Sequence, residues 1–193
     1  MGQIGLAFVN PAPLTKPNHV VNFAKRCEEM GLHSLWTIDR IAYDNLEPLT
    51  LLASAAAVTQ KLRLGTSVLL GNTRHPSHLA KIIATIDFIS NGRVTLGIGF
   101  GSRESDYKAV EIPFEKRGSR AVEQIQLIKR LWTEENVTHK GQFFQEISPS
   151  DRDPFKNLIH PSGPAAAPRL RSKGPAPGPM ASYAAARRYR NFR

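Results

Sequence analysis

The chain has 193 residues, enough for one good-sized folded unit and little more, with 41% hydrophobic and 22% charged residues. Its formal charge of +10 is unevenly spread: residues 1–145 carry 17 Lys/Arg against 13 Asp/Glu, whereas residues 146–193 carry 9 against 3, together with 8 of the 14 prolines. One cysteine, Cys27, excludes an internal disulfide and a Cys-based metal cluster, and no apolar run reaches the roughly 20 residues of a membrane span. The start "MGQIGLAFVN" lacks a secretory signal's basic and long apolar regions, so a cytoplasmic protein in a reducing compartment, without membrane contact, is expected.

In chain order, "IGLAFV" (Ile4 to Val9) predicts a buried strand closed by Asn10-Pro11. "PNHVVNFAKRCEEMG" predicts a helix with Val20, Phe23, Ala24, Cys27 and Met30 at helical spacing, Pro17 near its start and Gly31 at its end, which makes Cys27 a small core side chain. "SLWTI" (Ser34 to Ile38) is a second strand, and "EPLTLLASAAAVT" a helix entered at Pro48. "LRLGTSVLL" (Leu62 to Leu70) is a third strand, apolar on both faces. "HLAKIIATIDFISNG" follows as a helix ending at Asn91-Gly92. "RVTLGIGF" (Arg93 to Phe100) is a fourth strand. After a polar loop, "RAVEQIQLIKRLW" has Val122, Ile125, Ile128 and Trp132 at helical spacing.

Strands buried on both faces and alternating with helices predict an α/β fold with a parallel sheet, as an open doubly wound sheet or an eight-stranded (β/α) barrel. Both place their sites at the carboxyl ends of the strands, which singles out Asn10-Pro11, Asp39-Arg40, Ser67 to His75 and Gly97 to Asp106. Gly97, Gly99 and Gly101 form G-x-G-x-G on the fourth strand, with Ser102 where a dinucleotide fingerprint has its last glycine, so that fingerprint is a poor match. Two readings of the glycines stay open: backbone approach to a ligand, or room for bulky neighbours inside the sheet. The adjacent Asp39 and Arg40 suit a structural ion pair or a cap more often than a site. Arg74 suits an anionic group of a substrate, and His75 a proton shuttle, although a histidine just before a proline is more often simply exposed. No His, Cys and carboxylate set has ligand spacing, so no metal is expected, and there is no G-x-S-x-G elbow.

Four segments in order, "CEEMGLHSLWTIDR", "LRLGTSVLLGNTRHPSHLAK", "GRVTLGIGFGSRESDY" and "IPFEKRGSRAVEQIQLIKRLWTEENVTHKGQFF", resemble the luciferase-like flavin-dependent monooxygenases from about Ile4 to Phe144. The resemblance implies a (β/α)8 TIM-barrel family fold of which about four units are present. It implies reduced FMN as cofactor, with reduced deazaflavin as the alternative. Its partners would be a small organic substrate and molecular oxygen, with a separate flavin reductase as supplier and a homodimer as a further state. The ring would lie against Asp39, Ser67, Val68, Gly97, Gly99, Gly101 and Ser102, with Arg74 and His75 toward substrate; no catalytic acid or base is assigned. Many members carry a non-proline cis peptide on the third strand, and the matching bond is Ser67–Val68. Many deazaflavin users have His where this chain has Arg40, and the sugar-phosphate dehydrogenase branch has an acidic residue where this chain has Ser102; Glu111 replaces a common glycine.

Residues 146–193 show no apolar pattern of useful length, so the organisation expected is a half-barrel over 1–145 and an irregular or disordered basic tail. Their Ala/Pro/Arg/Gly bias fits translation of GC-rich DNA in a shifted frame, and a frameshift is the expected origin, with impaired activity as its consequence. Arg187, Tyr189, Arg190 and Phe192 suit phosphate contact and base stacking, but they lie among scattered Ala and Pro without a platform, so nucleic acid is not the expected partner.

Overall fold

Leu35, Leu64, Leu96 and Ile98 all stand on the side of the sheet that the helices cover, and that shared burial sets the register of the strands. The computed structural model describes residues 3–8 and 16–147 and the backbone of 169–171. Its elements are β1 (Gly5–Phe8), α1 (His19–Glu29), β2 (Ser34–Thr37), α2 (Pro48–Val58), β3 (Arg63–Thr66), β4 (Leu69–Leu70), a 3₁₀ turn (Gly71–Thr73) and α3 (Pro76–Ile89). β5 (Val94–Gly99), α4 (Glu104–Lys108), α5 (Arg117–Thr133), β6 (Thr138–Lys140), β7 (Gln145–Ile147) and β8 (Arg169–Arg171) follow.

The helices begin and end where their local chemistry requires. Pro48 and Pro76 open α2 and α3, and the Glu47 carboxylate accepts the Thr50 N–H at the start of α2. Gly31, at φ 69°, follows the end of α1, a conformation that glycine adopts without steric cost. Leu52, Ala55 and Ala56 of α2, Leu79 and Ile83 of α3, and Leu127, Ile128 and Leu131 of α5 join the strand leucines in one core. Each fully buried leucine contributes roughly 2 kcal/mol relative to an exposed one.

The strands pair in parallel in the order β1-β2-β3-β5, with β4 continuing beside β5 and β8 on the far side of β5. Spatial order thus follows chain order without the reversal that defines a doubly wound sheet, which selects the barrel of the two expected architectures. β8 is a short strand within the stretch expected to be an irregular or disordered tail: Thr95, Leu96 and Gly97 align with Arg169, Leu170 and Arg171. A three-residue strand with one apolar side chain has no periodicity to read, and its pairing partner lies about seventy residues back in the sequence. The rest of that tail, including Arg187, Tyr189, Arg190 and Phe192, lies outside the described residues, as does Asn10-Pro11. The β6–β7 hairpin was not foreseen either.

Buried polar side chains stitch the layers together. Arg93, at the start of β5, donates to the carbonyls of Ala56, Thr59, Leu62 and Ser90 and to the Thr59 hydroxyl, closing the open carbonyl end of α2 against the sheet. Glu28 of α1 accepts the N–H groups of Gln60, Lys61 and Leu62 before β3. Glu123 of α5 does the same for Gln142, Phe143 and Phe144 of the hairpin and also bonds His139.

Candidate functional site

At the carboxyl end of the sheet the third strand does not run through, as its sequence had suggested, but breaks between β3 and β4. Gly65 pairs with Thr95 and Leu69 with Ile98, so four steps along the third strand match three along β5. One extra residue is taken up there, as in a β-bulge. Thr66 repairs the ladder with its side chain: its hydroxyl donates to Gly97 O (2.8 Å) and accepts from Gly97 N–H (3.0 Å). The Ser67–Val68 peptide in the bulge is cis, at the bond the family resemblance had marked. β2 brackets it, with Ser67 N–H on Thr37 O at 2.7 Å and Asp39 N–H on Val68 O at 3.2 Å.

The glycines explain themselves against this bulge. A Cβ on Gly97 would stand directly against Thr66 O; one on Gly99 would come within 2.7 Å of Val68 Cγ2. Gly101 takes φ 65°, and a Cβ there would meet Leu70 Cδ2 at 2.8 Å. The bare backbone therefore admits the bulged strand and lets Val68 lie over β5. Of the two readings left open by the sequence, room for neighbours accounts for all three positions.

Asp39, at the end of β2, is 4% exposed. Its Oδ2 accepts Leu70 N–H at 2.9 Å and Arg74 at 2.6 Å, and Arg74 reaches on to Glu47 at 2.9 Å. Burial pushes the Asp39 carboxyl above the usual range, against the opposing pull of Arg74 and the Leu70 N–H. In place of an anion from solution, Arg74 meets two carboxylates of its own chain. Arg40 turns away from its sequence neighbour Asp39 and pairs with Asp106, Nε to Oδ2 at 2.9 Å. Asp106 Oδ1 accepts the N–H groups of Ile41 and Ala42 at 2.9 and 2.8 Å. Burial raises the Asp106 carboxyl, but these bonds outweigh it and hold the group below its ordinary value.

Next to it, fully buried Tyr107 donates to Phe100 O and accepts from Asn72 Nδ2 at 3.1 Å; Asn72 also reaches Arg117 O at 2.6 Å. Gln124 Nε2 holds the carbonyls of Gly71 and Arg74, both at 2.8 Å. The structure thus gathers Asp39, Arg74, Ser67, Val68, Gly97 and Gly99 on one rim. Ser67 is exposed there and Val68 half-buried. Ser102 is exposed beyond Gly101, and exposed His75 precedes α3 with its ring edge-on to Phe144 at 5.7 Å. Asp106 closes the strand-end segment that the sequence singled out, without a role assigned to it; Thr66, Tyr107 and Gln124 carry no such sequence signal, because each acts through a partner far along the chain. Among the described residues no group of three or more His, Cys, Asp or Glu is placed to share a metal ion, and no helix is long and apolar enough to cross a membrane.

Glu28, Asp106 and Glu123 all sit below their ordinary values: bonds to backbone N–H groups, helped by Arg93 near Glu28, Arg40 on Asp106 and the His139 hydrogen bond to Glu123, overcome the raising effect of burial. The native chain therefore binds fewer protons at these sites than the unfolded chain does. Their stabilisation is complete above the unfolded values of 4.5 for Glu and 3.8 for Asp, and is lost as pH falls through the lowered native ones. Asp39, raised, acts with the opposite sign and offsets part of this. The urea midpoint is expected to fall between pH 5 and pH 3, and to fall less in Glu28→Gln and Glu123→Gln; equal falls in all three proteins would show that the clamps do not set the acid response.

Residues 4–170 match the family model described as luciferase-like monooxygenase. The chain belongs to that family. The match passes beyond Phe144 and takes in the start of β8, farther than the resemblance read from the sequence. Among curated relatives, an F420-dependent glucose-6-phosphate dehydrogenase of Amycolatopsis mediterranei (strain U-32) is 34% identical over 165 residues, which is 78% of this chain and 50% of that one. A second, from Kineococcus radiotolerans, is 37% identical over 138 residues, 66% of this chain and 41% of the relative. The chain spans about half the length of these relatives. Among solved structures, the monooxygenase RslO1 of Streptomyces bottropensis superposes with a TM-score of 0.75 at 27% identity, over 88% of this chain and 52% of that one. The coenzyme F420 dependent tetrahydromethanopterin reductase of Methanopyrus kandleri gives 0.59 at 26%, over 75% and 43%. This luciferase-like chain thus carries a partial barrel of an oxidoreductase family.

Proposed function

We propose that the rim around Val68 is the N-terminal part of a pocket for an isoalloxazine-type ring, serving two-electron oxidoreduction of a small organic substrate. The observation that carries this reading is the half-buried Val68 at the carboxyl ends of the strands, bracketed by β2 on one side and by the bare backbone of Gly97 and Gly99 on the other. A flat, largely apolar ring fits such a support. Val68 would lie behind it, exposed Ser67 and the backbone after Gly99 would reach its polar edge, and Asp39 would act from behind by holding β4 through Leu70. The rim charges are engaged within the chain, Asp39 and Glu47 sharing Arg74 and Asp106 bound to Arg40. When bound, the ring supplies the two-electron chemistry; the chain's own residues position it and keep water from its face.

The names of the curated relatives and of the 26%-identical reductase favour a deazaflavin as the ring. FMN with molecular oxygen is the second reading, favoured by the likeness to the monooxygenase RslO1. Ser102 stands where the sugar-phosphate branch has an acidic residue, so the substrate of those relatives is not carried over. The purified chain is to be titrated with oxidised F420 and with oxidised FMN, each followed by ring fluorescence. Saturable quenching by F420 alone supports the first reading; quenching by FMN, with substrate-linked oxygen uptake after reduction, supports the second. Quenching by neither overturns both.

A further inference from the structure

We infer that Asp106 is a positioning residue that fixes the loop after β2, and with it Arg40, at the edge of the ring pocket; this rests on the ring-binding reading above. α4 follows directly on the glycine exit of β5, and its Asp106 is 2% exposed although it is one of four charged or polar residues in a five-residue helix that also contains Tyr107. All three bonds of its carboxylate go to one short stretch, the Nε of Arg40 and the N–H groups of Ile41 and Ala42. That stretch belongs to no helix or strand, so it lacks a ladder of its own. Arg40, held at its Nε, lies over the Tyr43 ring at 5.1 Å. Tyr107, the next residue, binds Phe100 O and Asn72. One turn of helix therefore ties together the strand ends after β2, β4 and β5, the three that form the rim. A buried carboxylate that accepts two backbone N–H groups and a guanidinium is a strong, directional clamp.

Asp106→Asn keeps the size and removes the charge. The expected result is hydrogen exchange at the Ile41 and Ala42 amides about tenfold faster, with β3 and β5 amides unchanged. Affinity for whichever probe the wild type binds, oxidised F420 or oxidised FMN, is expected to fall about tenfold at a temperature well below melting, because a displaced loop misplaces the pocket edge. A contact that only stabilises the fold would lower the melting temperature and leave that affinity unchanged, which overturns the inference. Should Asp106→Asn fail to fold, Arg40→Met decides: lost ring affinity supports the inference and wild-type affinity overturns it. A wild-type chain that binds neither ring overturns the ring-binding reading and this inference together, whereas wild-type binding preserved in the variants overturns this inference alone.

Discussion

Replacing Arg93 with methionine is expected to destabilise the chain by about 3–5 kcal/mol, visible as a large drop in the urea midpoint at unchanged slope. Arg93 is 8% exposed, and its five donated bonds go to four carbonyls and one hydroxyl. Methionine fills much of the volume but donates nothing, so the carbonyls of Ala56, Thr59, Leu62 and Ser90 lose a buried partner together. One unsatisfied buried acceptor costs about 1–3 kcal/mol, and partial access of water to the end of α2 keeps the sum below four such penalties. Arg93→Lys would restore the charge but not the planar fork that reaches α2 and the β3 entry at once, and should recover only part of the loss. A methionine variant within about 0.5 kcal/mol of wild type would show that the hub does not hold α2 to the sheet.

Alanine at Gly97 should be the more damaging of two glycine substitutions on β5, costing about 3 kcal/mol, while alanine at Gly99 should cost about 1 kcal/mol yet weaken ring binding. The difference lies in what each new methyl meets. At Gly97 it meets the carbonyl of Thr66, backbone locked on its other side by the ladder, at the point where the Thr66 hydroxyl bridges both peptide groups of Gly97. Relief requires β3 and β5 to separate. At Gly99 it meets Val68 Cγ2, the end of a half-buried side chain that can turn aside. The fold then survives, but the apolar support shifts, and affinity for the ring that the wild type binds should fall. Equal stability losses in the two variants, or unchanged ring affinity in Gly99→Ala, would contradict the packing proposed for Val68.

Sequence legibility followed interaction range. The alternation of strand and helix, the Pro48 and Pro76 helix starts and the glycine end of α1 depend on residues within a few positions of one another, and they were readable before any coordinates. The cis bond at Ser67–Val68 was marked through family resemblance, not through periodicity. The strand at Arg169–Arg171 has no signal in its own residues, because a short edge strand owes its existence to β5 more than to its own side chains. Asp39 and Arg40 were noticed as a pair, yet they part company in the fold: one is bound to Arg74, the other to Asp106.

The amino-acid order by itself determined the alternation of strand and helix and the parallel α/β class, since hydrophobic period and local turn chemistry are written in neighbouring residues, and the order of four segments carried the family resemblance. Periodicity left a barrel and a doubly wound sheet both open, the resemblance pointed to the barrel, and tertiary structure alone decided that the three glycines make room for a bulged strand. It also decided that the polar residues at the rim bind each other. The physical reason is that buried charges and close backbone contacts take their meaning from whichever group the fold brings within about 3 Å, and that group lies from thirty to seventy residues away.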